Sequence, residues 1–248
     1  MHNQKKIQGK VVLVTGAGSG LGEATARAFA AAGCKIACID VNAAAIEQLC
    51  SQLREQGSEC RALSCDARNA SEVFTTTRSA VEQLGRLDIL VNCAAVDYTF
   101  SIEEMSVEQW DQEIAVNLRG PFLFAKAAFP ELKRQGGGHI INIASTASVR
   151  AWANASAYHA SKWGILGFSR ALGVEGRPHG IRVTTIIPGG MQTHFFDRFV
   201  EQGIPLPAPE NLQSPDTVAE AIVYATQLPP QSALQEMIIT PMNETSWP

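Results

Sequence analysis

The stretch VVLVTGAGSGLGEATARAF, residues 11–29, decides the fold. An apolar run at 11–15 predicts a buried strand, and an Ala-rich amphipathic pattern at 21–32 predicts a helix. Between them lies TGAGSGLG, residues 15–22, whose glycines permit a tight turn and let backbone N–H groups approach a pyrophosphate. The helix N-terminus adds a partial positive charge. In this strand–loop–helix setting the loop predicts a dinucleotide site, although its spacing is TGxxxGxG and not GxGxxG.

The same alternation of short apolar runs and longer helical patterns continues along the chain. Runs rich in Val and Ile without polar alternation are typical of parallel strands buried on both faces. The βαβα order therefore predicts an α/β fold, with a doubly wound parallel sheet, helices on both faces and right-handed crossovers. The seven predicted strands span 11–15, 35–40, 60–64, 87–92, 139–144, 182–187 and 236–240. The predicted helices span 21–32, 43–56, 71–84, 107–135, 156–177 and 215–227, the fourth as one long helix or two abutting ones.

One long irregular stretch, residues 188–214, stands apart from this pattern. In a compact domain such a stretch is usually a lid or a binding loop, so we expect a substrate lid at about 189–214. No internal repeat or low-complexity linker divides the 248 residues, and we expect one domain over 1–248.

The composition excludes several classes of protein. Hydrophobic residues make up 46% and charged residues 18% of the chain, which rules out a disordered polymer. The net charge of −4 gives no basic footprint for nucleic acid or for an acidic membrane. The first ten residues lack the apolar core of a secretory signal, and no apolar run is long enough to span a bilayer. We therefore expect a cytoplasmic protein without a nucleic-acid or membrane partner.

The six cysteines form no CxxC pair and no His/Cys cluster with zinc-finger spacing. This pattern predicts no metal site, and it predicts reduced, mostly buried thiols. Cys93 is the candidate for a redox-sensitive thiol because it follows a predicted strand beside the expected cofactor.

Two acidic residues bear on the choice of cofactor. Asp40 ends the second predicted strand, where a carboxylate can hydrogen-bond the adenosine ribose hydroxyls and repels the 2′-phosphate of NADP. Val41 and Asn42 follow it, and the glycine loop carries Ser19 and not a basic residue. NAD is therefore the expected cofactor. Asp66, after the third predicted strand, is a candidate acceptor for the adenine amino group, with an ordinary helix or turn cap as the alternative.

A candidate catalytic group lies in the second half of the chain. Tyr158 and Lys162 are four residues apart on a predicted helix and share one face. Oxidation of an alcohol needs a base for the hydroxyl proton while nicotinamide takes the hydride. A tyrosine with the ordinary pKa of about 10 is a poor base at neutral pH, and a neighbouring ammonium stabilises its phenolate. Ser145, at the end of a predicted strand, is placed to hold the substrate oxygen and stabilise the developing alkoxide.

Together these features resemble the short-chain dehydrogenase/reductase family, from about residue 10 to the end of the loop that begins at 188. The motifs that match are TGAGSGLG, the first residue of NCAA at 92–95, Asn117, Ser145, the Tyr158/Lys162 pair and PGxxxT at 188–193. The resemblance implies a single Rossmann-type domain and hydride transfer between nicotinamide and a hydroxyl or carbonyl carbon. It implies a catalytic tetrad of Asn117, Ser145, Tyr158 and Lys162. The cofactor-binding residues are expected to be Gly16, Ser19, Gly20, Leu21, Gly22, Asp40, Asp66, Ala67, Asn92, Tyr158, Lys162, Pro188, Gly189 and Thr193.

Asn117 is followed four residues later by Pro121, which has no N–H to bond the carbonyl of Asn117. We expect a kink in the helix there and a carbonyl that binds a water leading to Lys162. The resemblance implies a proton relay of that kind.

The sequence departs from the family pattern in two places. Cys93 and Ala95 replace the second Asn and the Gly of the usual NNAG, and the C-terminus carries prolines and Trp247 where the family has glycines. The resemblance implies that the C-terminal region helps build a tetramer interface and that two long helices, 107–135 and 156–177, form a dimer. We therefore expect a homodimer or homotetramer.

The substrate pocket is expected to be lined by three loops, at 96–100, 146–155 and 191–209. Their aromatic side chains suit a hydrophobic or aromatic secondary alcohol or ketone. The equally weighted alternative is that these side chains pack the lid against the core and do not contact the substrate. We expect Arg150, His194 and Arg198 to be solvated, with contact to an anionic group as the alternative. A 3-oxoacyl-thioester (acyl carrier protein) reductase and a non-catalytic NAD-sensing protein are the alternatives to an NAD-dependent alcohol dehydrogenase or carbonyl reductase.

Overall fold

The seven strands form one parallel sheet in the computed structural model, which describes residues 7–201 and 203–244. The strands are β1 (Val11–Thr15), β2 (Lys35–Asp40), β3 (Cys60–Ser64), β4 (Ile89–Asn92), β5 (Gly138–Ile143), β6 (Ile181–Pro188) and β7 (Glu236–Ile239). Their order is β3-β2-β1-β4-β5-β6-β7, so the direction of winding reverses between β1 and β4. Ligands of such sheets bind outside the carboxyl ends of the strands at this reversal.

Helices cover both faces of the sheet, as the strand pattern predicts. They are α1 (Gly20–Ala31), α2 (Ala43–Glu55), α3 (Ala70–Leu84), α4 (Val107–Ile114), α5 (Gly120–Arg134), α6 (Ser156–Gly176), α7 (Asp197–Glu201) and α8 (Pro215–Thr226). One apolar core packs α1, α2 and α8 against the sheet, and a second packs α3, α5 and α6 against its other face. In β1, Val12 and Leu13 point into opposite cores and are fully buried, which explains the absence of polar alternation.

The long predicted helix at 107–135 is interrupted at the position that Pro121 predicts. Residues Ala115–Arg119 form a π-helical stretch between α4 and α5, and Gly120 donates its N–H to the carbonyl of Ala115. Asn117 lies within this stretch and is buried. Short π-helical segments often mark functional sites.

The predicted lid region contains more regular structure than the sequence indicates. Helix α7 and two 3₁₀ turns, His194–Phe196 and Pro209–Asn211, lie within it. A parallel bridge between Met191 and Gln213 joins the two ends of the region. The Gln213 side chain attaches it to β7, because it donates to the carbonyl of Ile239 at 2.9 Å.

The expectation of six reduced thiols is wrong, because a disulfide joins Cys50 of α2 to Cys60 of β3. Packing of α2 on β3 brings the two Cα atoms within 5.3 Å, a distance that a disulfide spans. Sequence spacing gave no sign of this pairing because it depends on the tertiary contact. Cys34, Cys38 and Cys65 are free and buried. No helix in the described part of the chain is long and apolar enough to cross a bilayer.

Candidate active site

A cavity of about 800 Å³ opens at the carboxyl ends of the strands, where the winding of the sheet reverses. It collects most of the site residues that the sequence predicts. Those that line it are Gly16, Ser19, Gly20, Leu21, Gly22, Asp40, Asp66, Ala67, Ser145, Tyr158, Lys162, Pro188, Gly189 and Thr193. Asn92 and Asn117 are not part of the described lining.

The glycine loop is shaped for close contact with a ligand. Two of its glycines, Gly16 and Gly22, lie where a side chain has no room. Gly16 has a φ of +67°, and a Cβ there would lie 2.7 Å from the Cα of Ala94. A Cβ on Gly22 would overlap the carbonyl of Gly16. The side chain of Thr15 accepts the N–H groups of Cys93 and Ala94 at 3.1 Å each, which ties the loop to the end of β4. This cradle at the N-terminus of α1 fits the pyrophosphate of a dinucleotide.

Asp40 lies at the edge of this cradle. Its carboxylate accepts the N–H of Gly18 at 3.0 Å and the N–H of Asn42 at 2.9 Å, so it is oriented by the backbone on both sides. Val41 follows it and is largely exposed. Asp40 therefore places a negative charge at the end of β2, on the wall of the cavity.

Asp66 also lines the cavity but shares its carboxylate with a neighbour. Arg68 forms an ion pair with it at 2.7 Å, and hydrogen bonds from Arg68 lower the pKa of Asp66. Arg68 itself lines the cavity. The sequence gave no sign of this pair, because it depends on the turn between β3 and α3.

Ser145, Tyr158 and Lys162 meet at the centre of the cavity. Ser145 lies two residues after the end of β5, Tyr158 and Lys162 belong to α6, and Ser145 and Tyr158 are hydrogen-bonded. The Nζ atom of Lys162 lies 5.5 Å from the centre of the Tyr158 ring and donates to the carbonyl of Ile143 at 3.0 Å. All three side chains thus surround one small volume at the end of the sheet.

Burial shifts both titratable groups of this trio toward their neutral forms. Burial raises the pKa of Tyr158, the hydrogen bond with Ser145 lowers it, and the negative charges of Asp97 and Glu113 raise it. Burial lowers the pKa of Lys162 to about 8, against the opposing effect of Glu113. A catalytic base needs a lowered pKa, whereas in the protein alone the pKa of Tyr158 is raised. A bound positive nicotinamide ring would lower this pKa.

The buried side chain of Asn117 connects two segments that border the cavity, the loop after β4 and helix α6. Its side chain donates to the carbonyl of Val96 at 2.8 Å and accepts the N–H of Val96 at 2.8 Å. It also donates to the hydroxyl of Ser161 at 3.2 Å, which donates to the carbonyl of Tyr158. The Asn117 side chain therefore positions the loop after β4 relative to α6.

The side chain of Asn92 points away from the cavity. It donates to Asn142 of β5 at 2.8 Å, and Asn142 in turn donates to Ser169. Cys93, Ala94 and Ala95 line the cavity at this place. Burial raises the pKa of Cys93 to about 12, so its thiol stays protonated near neutral pH and is a poor nucleophile.

On the other side, the cavity is bounded by the lid and by the loop after Ser145. Phe195 packs against Tyr158 with ring centres 5.6 Å apart, and Thr193 contacts the position where Gly20 would carry a Cβ. His159 is buried; it accepts the N–H of Trp152 and packs against that indole ring at 4.4 Å. Although it points away from the reacting groups, His159 thus fixes the loop that carries Trp152.

The sequence placed Arg150 in solvent, and the structure corrects this. Its side chain is 17% exposed and forms an ion pair at 3.3 Å with Glu244, which is 15% exposed. Both residues line the cavity. The pair was hidden in the sequence because 94 positions separate its members. His194 is exposed and pairs with Asp197, as expected for a solvated residue, and the side chain of Arg198 lies outside the described part of the structure.

Asp97 is a further residue of the cavity that the sequence did not single out. It is 4% exposed and lies on the loop after β4. The sequence did offer one signal for Asp97. It is an acidic residue shortly after β4, one of the two strands between which the winding reverses.

Comparison with known proteins agrees with this geometry. A model of the family described as short chain dehydrogenase matches residues 10–203. The D-threitol dehydrogenase of Mycolicibacterium smegmatis is 42% identical over 183 residues, which cover 74% of this chain and 70% of that protein. The probable galactose dehydrogenase of Rhizobium meliloti is 37% identical over 188 residues, covering 75% and 73% respectively. An alcohol dehydrogenase from the archaeon Thermococcus sibiricus, solved with 5-hydroxy-NADP, has a TM-score of 0.86 at 29% identity and covers 95% and 97%.

The fold and the cleft define an oxidoreductase that uses a nicotinamide cofactor. The chain belongs to the short chain dehydrogenase family.

Proposed function

We propose that this protein is an NAD-dependent alcohol dehydrogenase or carbonyl reductase of the single-domain type. It interconverts a secondary alcohol and its ketone. The observation that carries the proposal is the meeting of Ser145, Tyr158 and Lys162 beside the glycine cradle in one cavity. The names of the threitol and galactose dehydrogenases among the relatives support oxidation of an alcohol.

Each residue of the trio has a distinct role in the proposed reaction. Nicotinamide, when bound, supplies the acceptor or donor of the hydride. Ser145 holds the substrate oxygen by a hydrogen bond, and Tyr158 takes the hydroxyl proton at its phenol oxygen during oxidation or returns it during reduction. Lys162 stabilises the phenolate by its charge, and Asn117 positions the loop after β4 against α6. The side chains of Asp40 and Thr193, the cradle glycines and the backbone near Asn92 hold the cofactor.

The proposed preference for NAD rests on Asp40. Its carboxylate is fixed by two backbone N–H groups on the cavity wall, where it can bind ribose hydroxyls and would repel a 2′-phosphate. The residue after it, Val41, offers no positive charge. Arg68 lines the same cavity, but its guanidinium is paired with Asp66.

The proposed assembly uses the outer faces of α4, α5 and α6. Apolar side chains are exposed on these helices, at Val107, Phe122, Trp163 and Val174. Such side chains support a homodimer through the two helical segments, and a tetramer would require further contacts elsewhere.

The test is NADH formation by the purified protein with NAD⁺ and a panel of secondary alcohols, compared with Tyr158→Phe. Loss of the phenol should lower kcat/KM by about 10²- to 10⁴-fold, while NADH still binds. The matched control is Tyr224→Phe, because Tyr224 is exposed on α8 and should behave as the wild type. Equal activity in Tyr158→Phe would refute the proposed role, and NADH binding without any turnover would favour a sensing protein.

A further inference from the structure

Asp97 is a buried acidic side chain of the cavity to which the proposed hydride transfer gives no task. It is 4% exposed and shares the cavity with Ser145 and Tyr158. In addition to burial, the charge of Asp97 raises the pKa of Tyr158, so the carboxylate acts electrostatically on the phenol. A carboxylate near the reacting groups carries a cost in desolvation, and its place calls for an explanation.

The loop that carries Asp97 is held at both ends. Val96, the preceding residue, exchanges two hydrogen bonds of 2.8 Å with the side chain of Asn117. Phe100 forms a parallel bridge with Ala155, next to the start of α6. Between these two anchors the hydroxyl of Thr99 donates to Asp97 at 2.9 Å. The carboxylate is therefore fixed in place before a ligand arrives, which lowers the entropic cost of binding.

The chemistry of the group favours a hydroxyl donor as its ligand. A carboxylate has about four acceptor positions, so it can bind a hydroxyl while it keeps its protein partners, among them Thr99. A cationic ligand would have to enter beside the Lys162 ammonium and, in the oxidative direction, beside a positive nicotinamide ring. A neutral hydroxyl group meets no such repulsion.

The rest of the cavity is lined by both polar and aromatic side chains. Gln112 and the Arg150–Glu244 pair join Asp97 and Thr99 in the lining, while Trp152, Phe195, Phe196 and Phe199 form the aromatic part. A purely apolar alcohol would leave the polar side chains without ligand contacts. A molecule with several hydroxyl groups on a small carbon skeleton would contact both kinds of side chain.

We propose that Asp97 accepts a hydrogen bond from a second hydroxyl group of the substrate, next to the carbon that is oxidised, so that the site selects polyhydroxylated alcohols and the matching hydroxyketones. This inference rests on the proposed function and narrows its substrate class. It gives Asp97 the role of a specificity residue.

The experiment compares alcohols that differ by one hydroxyl group, namely cyclohexanol and the cis and trans forms of 1,2-cyclohexanediol. The wild type, Asp97→Ala and Asp97→Asn are assayed with NAD⁺, with Asp111→Asn as control. Asp111 is exposed on α4, so its substitution removes the same charge outside the cavity. The quantity measured is the ratio of kcat/KM for the better diol to that for cyclohexanol.

We expect this ratio to exceed 10 in the wild type and to fall by about 10- to 100-fold in Asp97→Ala, the usual range for a hydrogen bond to a charged group. Asp97→Asn keeps an acceptor oxygen, so its ratio should lie between those of the wild type and Asp97→Ala. Asp111→Asn should keep the wild-type ratio. If Asp97 acts only through its charge on Tyr158 and Lys162, both variants will change the rates and pH profiles of the two alcohols equally. An unchanged ratio in Asp97→Ala would therefore overturn the inference.

A binding measurement separates failure of this inference from failure of the proposed function. The thermal stabilisation of the protein–NADH complex by each alcohol is measured for the same variants. If no alcohol is oxidised, the proposed function fails, and diol-selective stabilisation that disappears in Asp97→Ala still supports the role of Asp97. Equal stabilisation by diol and cyclohexanol in the wild type would refute the proposed role of Asp97.

Discussion

The proposed cofactor half of the cavity contains residues 15, 16, 19–22, 39–41 and 65–68. It is built from the carboxyl ends of the first three strands and the turns that follow them. The proposed substrate half contains residues 97, 99, 145, 146, 150, 152, 155, 195, 196, 199, 207 and 244. These residues belong to loops and a C-terminal segment that meet only in three dimensions. In the first half, backbone N–H groups and glycines shape the site, whereas in the second half paired and packed side chains do so. The comparison teaches that changes to the backbone should affect the cofactor half most, and changes to side-chain pairs the substrate half.

The largest effect is expected from Gly22→Ala. Its Cβ would overlap the carbonyl of Gly16, so the cradle must open, and we expect at least about a 100-fold loss of NADH affinity. Titration of NADH fluorescence measures it. The control is Gly167→Ala on α6, where nothing lies within 4 Å of the new Cβ and the helix should be slightly stabilised. Normal NADH binding by Gly22→Ala would remove the distinction between the two halves.

The second prediction concerns cofactor choice. Replacing Asp40 by Ser and Val41 by Arg exchanges a repulsive charge for an attractive one. The ratio of kcat/KM for NAD⁺ to that for NADP⁺ should fall by at least about 10- to 100-fold, because the 2′-phosphate then gains a charged partner. The KM for the alcohol should change little, since the substrate half is untouched. An unaltered cofactor ratio would contradict the role of Asp40.

The third prediction uses the buried ammonium at the boundary of the two halves. Burial lowers the pKa of Lys162 to about 8 from its ordinary 10.5. Between these values the unfolded chain binds one more proton than the folded protein, so this group makes stability rise with pH. From pH 8 to 9.5 the cofactor-free wild type should gain about 1.5 kcal/mol relative to Lys162→Met. Urea unfolding at the two pH values measures this difference, and parallel curves would show that Lys162 is not destabilised by burial.

The smallest effect is expected from Glu244→Gln in the substrate half. Loss of the ion pair with Arg150 should raise the KM for the alcohol by about 3- to 10-fold and leave the KM for NAD⁺ unchanged. The matched control is Glu236→Gln, which removes an ion pair with Arg170 at the surface and should alter neither constant. If both variants gave the same kinetics, the C-terminal segment would have no part in binding the substrate.

The elements of the sheet were predictable because their signals are local. The ranges of β1, β2 and β3 agree with the sequence prediction at every residue, since apolar runs bounded by glycine or polar turns mark buried parallel strands. Asn117 was predicted as an irregular point from Pro121 alone, and the π-helical stretch lies there. The short helices of the lid escaped prediction because helices of this length depend on tertiary contacts, such as that of Phe195 with Tyr158, and not on their own sequence.

The sequence by itself determined the parallel α/β sheet, the glycine cradle and the shared helix face of Tyr158 and Lys162, because each depends on spacing along a strand, a turn or a helix. The tertiary structure alone decided which residues complete the site. It paired Arg150 with Glu244, joined Cys50 to Cys60, turned Asn92 toward β5 and buried Asp97 in the wall of the cavity. These contacts join segments far apart in the chain, or turn a side chain to one of two sides, and only packing of the whole domain selects among such arrangements.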